Sequence, residues 1–207
     1  MNILKKITPL LVTLLATACN VNNGSATKKA EYTVLFYMCG SNLESDYANK
    51  TQINYGGYSY SWNGQGLATM DIREILRVKD KPSDVNILIE TGGARSWTNS
   101  KYGKYGDYDI DAKKLQIHRV NNKQQLVLEK SFDYKSMGKA DTLQTFLEYG
   151  LKKYPAKRTA LVLWNHGGGL QGVCFDEKKS DDSLTATEVA NAVAGALKNC
   201  NMVPRGP

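Results

Sequence analysis

The sequence predicts an α/β protein, a layered sheet of mainly parallel strands flanked by helices. Three observations carry this. First, three apolar runs, YTVLFYM at 32–38, VNILIE at 85–90 and ALVLW at 160–164, are too short for ordinary helices and too continuously apolar for strands with one wet face. Second, segments with helical periodicity lie between them, and strands alternating with helices imply parallel pairing through right-handed crossovers. Third, each run empties into small, polar or glycine residues: Cys39-Gly40-Ser41-Asn42, Thr91-Gly92-Gly93, and Asn165-His166-Gly167-Gly168-Gly169. In such sheets, ligands bind outside the carboxyl ends of the strands. The site is therefore expected at that edge, with His166 in it.

The elements follow in order. After the first strand, 46–65 is rich in Tyr, Gly, Asn and Ser and reads as an irregular excursion. A helix is expected over 67–78, where Met70, Ile72, Ile75 and Leu76 recur at helical spacing among Asp71, Arg73 and Glu74. A turn with Pro82 leads into the strand at 85–90, and the aromatic, glycine-rich 97–108 reads as loop. Runs at 115–120 and 126–129 flank Asn121-Asn122 and read as a hairpin. Asp141 and Gln144 have the spacing of a capping box, opening a helix that buries Leu143, Phe146, Leu147 and Leu151 before Pro155. After the third apolar run, 172–175 reads as a short returning strand and DEKKSDDS at 176–183 as a charged exposed loop. Thr185 and Glu188 cap a last helix with Val189, Val193, Ala196 and Leu197 on one face.

Composition narrows the classes of function. The 207 residues carry 27 Lys and Arg against 20 Asp and Glu, a net charge of +7. The basic residues are scattered in pairs such as Lys28-Lys29 and Lys152-Lys153, without the aromatic-interleaved patch of a nucleic-acid binder. The first 18 residues read as a secretory signal: Lys5 and Lys6, then a mostly apolar stretch at 7–16, then LATAC ending at Cys19. The stretch resembles a bacterial lipoprotein signal, with Cys19 the residue lipidated; the alternative is ordinary cleavage near Ala18. Residues 19–30 read as a tether. The protein is thus expected to be exported, as a cell-envelope lipoprotein or secreted, touching membrane only through a lipid anchor. Cys39, Cys174 and Cys200 remain, an odd number that argues against a disulfide framework, and no Cys/His pair has zinc spacing.

His166 is the residue that points to chemistry. An imidazole delivered by a buried strand to a run of glycines is held rigidly, with space beside it and with peptide N–H groups free to donate. The only other histidine, His118, alternates with apolar neighbours in the hairpin and reads as a surface residue. A histidine base needs a group to activate. Cys174, inside the short returning strand, reads as a small buried thiol, and Cys39 closes the first strand.

These residues carry a family resemblance. The chain resembles the clostripain family of cysteine peptidases, which share the caspase-like fold, through YMCGSNLES at 37–45, DTLQTFLEYGLKKYPAKRTALVLWNHGGG at 141–169, GVCFDE at 172–177 and DSLTATEVANAV at 182–193. The resemblance implies that 31–207 is the N-terminal part of a caspase-like peptidase domain whose sheet is incomplete on its C-terminal side. It makes His166 the catalytic histidine and the Gly167 N–H an oxyanion donor. The nucleophilic Cys of such enzymes follows about 50 residues after the His, near position 216, so a further segment or chain is expected to supply it. The expected substrates are proteins or peptides cut after Arg or Lys. Family members also cut their own chain a dozen or so residues after the His, where Lys178 and Lys179 stand. Some respond to calcium, for which Asp107, Asp109 and Asp111 read instead as turn and strand residues; no cofactor or metal is assigned. The alternative is a non-catalytic binding or interaction lipoprotein that retains the fold.

Overall fold

In the computed structural model, which describes residues 12–17, 29–48, 50–78, 81–98 and 109–202, the three apolar runs become adjacent parallel strands. These are β2 (Ala30–Cys39), β5 (Val85–Gly92) and β8 (Ala156–Trp164). β2 lies in the middle, paired with β5 from Tyr32↔Val85 to Cys39↔Gly92 and with β8 from Ala30↔Ala156 to Met38↔Trp164. The register brings all three carboxyl ends to one level. Antiparallel β6 (Lys114–Val120) follows β5, and β7 (Leu126–Asp133) closes that side. Of these five strands only β6 runs against the rest.

Helices cover both faces. On one, α3 (Ala140–Lys153) and α4 (Ala186–Asn199) pack on Leu35, Tyr37, Leu88, Ile117, Leu161 and Leu163. On the other, α1 (Ser41–Ser45) and α2 (Leu67–Arg77) pack on Met38, Ile89 and Trp164. Alternate residues of one strand thus enter opposite cores, which is why its apolar run is continuous. The capping box forms at α4, where Thr185 Oγ1 accepts from the Glu188 N–H at 3.2 Å and Glu188 accepts from the Thr185 N–H at 2.9 Å.

Several expectations need correction. The excursion at 46–65 holds a hairpin, β3 (Gln52–Tyr55) and β4 (Tyr58–Ser61), turning through Gly56 and Gly57, whose φ of +59° and +81° demand glycine. The box at Asp141 does not form. α3 starts two residues earlier, at Ala140 with Lys139 in the cap position, and the Asp141 carboxylate caps the Thr142 N–H while Gln144 reaches Glu148. Residues 12–17, expected to belong to a secretory signal outside the fold, form a strand, β1 (Val12–Thr17), on the edge of β8, antiparallel from Val12↔Leu163 to Thr17↔Arg158. An apolar segment rich in β-formers meets a row of unpaired backbone groups there. The rest of the expected secretory signal, and Cys19, the expected lipidation site, lie outside the described residues.

His118 is not a surface residue. It is 2% exposed, because β6 runs between β5 and β7 and places it opposite Ile89 under the α2 face. Its Nε2 lies 3.3 Å from Thr91 Oγ1. Burial lowers its pKa from 6.5 to about 4. The fold therefore prefers the neutral ring, a contribution complete above pH 6.5 and lost as pH falls from there through about 4. Urea unfolding at pH 7.5 and 4.5 is expected to show this residue removing about 2.5 kcal/mol across the window. His118→Gln should flatten the profile by that amount, and parallel profiles for the two proteins would refute the assignment.

Candidate active site at the carboxyl edge

The crossover through α2 carries the chain from β2 to β5 on one side, whereas α3 returns it to β8 on the other. The order of the sheet therefore reverses between β2 and β8, and a crevice opens outside such a switch point. His166 follows β8 and Asn42 follows β2, one on each lip. Their side chains meet across it, His166 Nε2 to Asn42 Oδ1 at 2.8 Å. The expected site residue is therefore at the expected edge, exposed, and already holding a partner from the neighbouring strand.

The backbone beneath His166 is fixed by its neighbour. Asn165 is buried, its Nδ2 donating to the Cys39 carbonyl at 2.7 Å and its Oδ1 accepting the Phe175 N–H at 3.0 Å. One amide thus ties the end of β8 to the end of β2 and to β9 (Val173–Asp176). The glycines make the turn between β8 and β9. Gly167 faces Val173 in a bridge closed by the Gly168 N–H on the Gly172 carbonyl at 2.8 Å. Gly169 and Gly172 have φ of +58° and +115°, and a Cβ on Gly168 would lie 2.7 Å from the Phe175 ring. Among the described residues no protein acceptor takes the Gly167 N–H, so it is free to donate beside His166.

The surrounding loops are cross-tied. Glu177 Oε1 accepts from Ser45 Oγ at 2.5 Å and from the Arg95 N–H at 2.7 Å, and Oε2 pairs with Arg95 Nη2 at 2.8 Å. The loops after β2, β5 and β9 so converge on one carboxylate. Beneath it, buried Asp176 accepts from Tyr134 Oη and from the N–H groups of Met137 and Lys178. The segment 176–183 is consequently not the exposed loop expected. It begins with two engaged acids, and β10 (Asp182–Leu184) pairs back on β9. Lys178 is pinned too, its ammonium donating to the Ala112 carbonyl and lying 3.6 Å from the Tyr134 ring centroid. Lys179 is exposed, and Ser180 and Asp181 follow with φ of +55° and +57°.

The electrostatics separate His166 from the thiols. Partial burial lowers the His166 pKa below 6.5, which favours the neutral ring, the form that can accept a proton. Burial raises the thiols of Cys39 and Cys174, Cys39 further through its proximity to Cys174. Both are fully buried, and Cys39 Sγ donates to the Phe175 carbonyl at 3.4 Å. Neither has the accessible thiolate a nucleophile needs. Asp111 caps the Lys113 N–H at 2.8 Å, a turn residue, while Asp107 lies outside the described residues. The sequence did not single out Asn42, Asn165 or Glu177; the only signal was their place beside strand ends. Titration with a thiol reagent should find Cys39 and Cys174 unreactive in the native protein and reactive after unfolding. Rapid native labelling of either would reopen it as a nucleophile.

A search of curated proteins finds no match. The model of the clostripain family matches residues 59–202, more than half of the chain. The match begins in β4 and ends just past α4, whereas the stretch 37–45 lies ahead of it. Since β5, β8, His166 and the glycine turn all fall inside the matched residues, the chain belongs to the clostripain family, a family of cysteine peptidases.

Proposed function

We propose that this chain is the histidine-bearing part of a cysteine endopeptidase that cuts proteins or peptides after Arg or Lys. His166 is the general base and the Gly167 N–H an oxyanion donor. The nucleophilic Cys comes from outside the 207 residues, on a segment lying along the β8 edge once the leader has gone. The observation that carries this reading is His166 at the carboxyl edge of the sheet, bonded to Asn42 across the two strand ends and beside an N–H that no protein acceptor takes among the described residues. In that arrangement the imidazole takes the thiol proton and the thiolate attacks the scissile carbonyl. The oxyanion is held by backbone N–H groups, His166 returns its proton to the leaving amine, and water releases the acyl group.

The test is cleavage of Arg- and Lys-containing peptides by the complete protein. His166→Ala is expected to lower kcat by about 10²–10⁴-fold. Unchanged cleavage refutes the proposal, and a complete protein that binds such peptides without cutting them favours the binding lipoprotein instead.

The same reading directs self-processing to the bond after Lys179 rather than the one after Lys178. The Lys178 ammonium is already held by Tyr134 and Ala112, whereas Lys179 is exposed. Two successive non-glycine residues with left-handed backbone follow it, a conformation that costs on the order of 1–2 kcal/mol per residue and lowers the cost of opening the segment. Intact-mass analysis of the active protein should find a chain ending at Lys179. Lys179→Gln should block the cut and Lys178→Gln should not; the reverse pattern would overturn the assignment.

A further inference from the structure

We infer that Asn42 is the positioning residue of His166, setting its tautomer so that Nε2 carries the proton and Nδ1 the basic lone pair. The inference rests on the reading of His166 as the base and adds to it the identity of the reacting nitrogen.

The argument starts from the bond itself. An amide oxygen only accepts, so the 2.8 Å contact from Asn42 Oδ1 to His166 Nε2 requires a proton on that nitrogen. In a neutral imidazole the other nitrogen then holds the lone pair. No other side-chain hydrogen bond to the His166 ring is formed among the described residues, so Asn42 alone selects the tautomer.

The turn that carries Asn42 is built to hold it still. α1 has five residues, and four of them are anchored elsewhere. Ser41 is buried, and Leu43 enters the core with Trp97 and Ile72. Ser45 bonds Glu177. Glu44 is fully buried, and its carboxylate accepts from the Thr69 N–H at 2.8 Å, Thr69 Oγ1 at 2.7 Å and the Thr98 N–H at 2.7 Å. It thereby caps α2 from another element, so close that a Cβ on Gly66 would lie 2.0 Å from its carboxyl group. Only Asn42 is exposed with its side chain directed to the crevice lip. His166 is equally fixed, because the Asn165 amide beside it is fastened to Cys39 and Phe175. A hydrogen bond between two exposed side chains gains little when both must be ordered first. Here both backbones are set beforehand, so the bond orients the ring at small entropic cost.

The charged groups of this corner are committed elsewhere. Glu44 faces Thr69 and Thr98, Glu177 faces Ser45 and Arg95, and Asp46 lies 3.9 Å from Arg95. The lowered pKa of His166 has burial as its cause. Asn42 therefore fixes the proton without adding a charge that would hold the imidazolium.

The complete protein, labelled with ¹⁵N at histidine and with His166 assigned by its loss in His166→Ala, reads the tautomer from ring nitrogen shifts. The expected result is a proton on Nε2 in the neutral form. Asn42→Ala should give mixed tautomers and an unchanged melting profile, with kcat lowered about 10- to 100-fold and KM little changed. Asn42→Asp should restore the Nε2–H form and raise the His166 midpoint, since a carboxylate favours the imidazolium. A proton on Nδ1 in the unsubstituted protein, or a tautomer untouched by Asn42→Ala, overturns the inference. Peptide cleavage that survives His166→Ala would instead remove the base reading, whatever the tautomer proves to be.

Discussion

The buried amide of Asn165 is the interaction on which the working edge depends. It joins the last turn of β8 to the carbonyl that ends β2 and to the backbone of β9, at 2.7 and 3.0 Å. A buried amide left half-satisfied would cost about 1–3 kcal/mol, so these three segments are held in one arrangement. Because β2 and β8 are also in register as far as Met38 and Trp164, the amide converts a shared strand ending into a fixed spacing between the two strand ends. The glycine turn, the bridge at Gly167 and the contact of Asn42 with His166 all hang from that spacing.

Around this point the fold uses acids as internal fasteners. Glu44 joins α1 to the start of α2 and to the loop after β5, Glu177 joins three loops, and Asp176 joins β9 to the segment before α3. Burial raises Glu44 above the ordinary carboxylate range while its hydrogen bonds pull it back. The loops that carry chemistry in α/β folds are ordinarily the mobile parts of the molecule. Here the loops after β2, β5 and β9 are tethered through carboxylates whose partners are mostly backbone N–H and short side-chain groups, the loop after β8 is tethered through the Asn165 amide, and Leu43 and Trp97 add apolar anchorage.

What the sequence revealed follows from what each segment faces. β2, β5 and β8 were legible because both faces are covered and the apolar run is unbroken. The outer half of β7, from Lys130 to Asp133, was not, because an edge strand exposes alternate residues and accepts charge. His118 was misread for the complementary reason: its hairpin looked peripheral, and only the pairing of β6 between two strands buries it. His166 stood out because a lone imidazole between a buried strand and glycines has few structural uses. Asn42 and Glu44 did not, since each takes its meaning from partners far away in the chain, at 166 and at 69 and 98.

The direction of β1 bears on how the site can be completed. It runs antiparallel to β8, so its first residue, Val12, lies level with Leu163, near the working edge, and its last, Thr17, lies at the far end. A strand in this orientation leads its chain away from His166 and delivers no side chain at its own carboxyl end to the crevice. A parallel strand on the same edge does the opposite. With the register of its neighbours it stops level with Trp164, about 4.8 Å from β8 in the plane of the sheet, and the next residue stands beside His166. The two cannot occupy the edge together, because β8 has only one unpaired row of backbone groups on that side. On the reading proposed above, a nucleophile carried by such a strand reaches the imidazole only when β1 does not hold that edge.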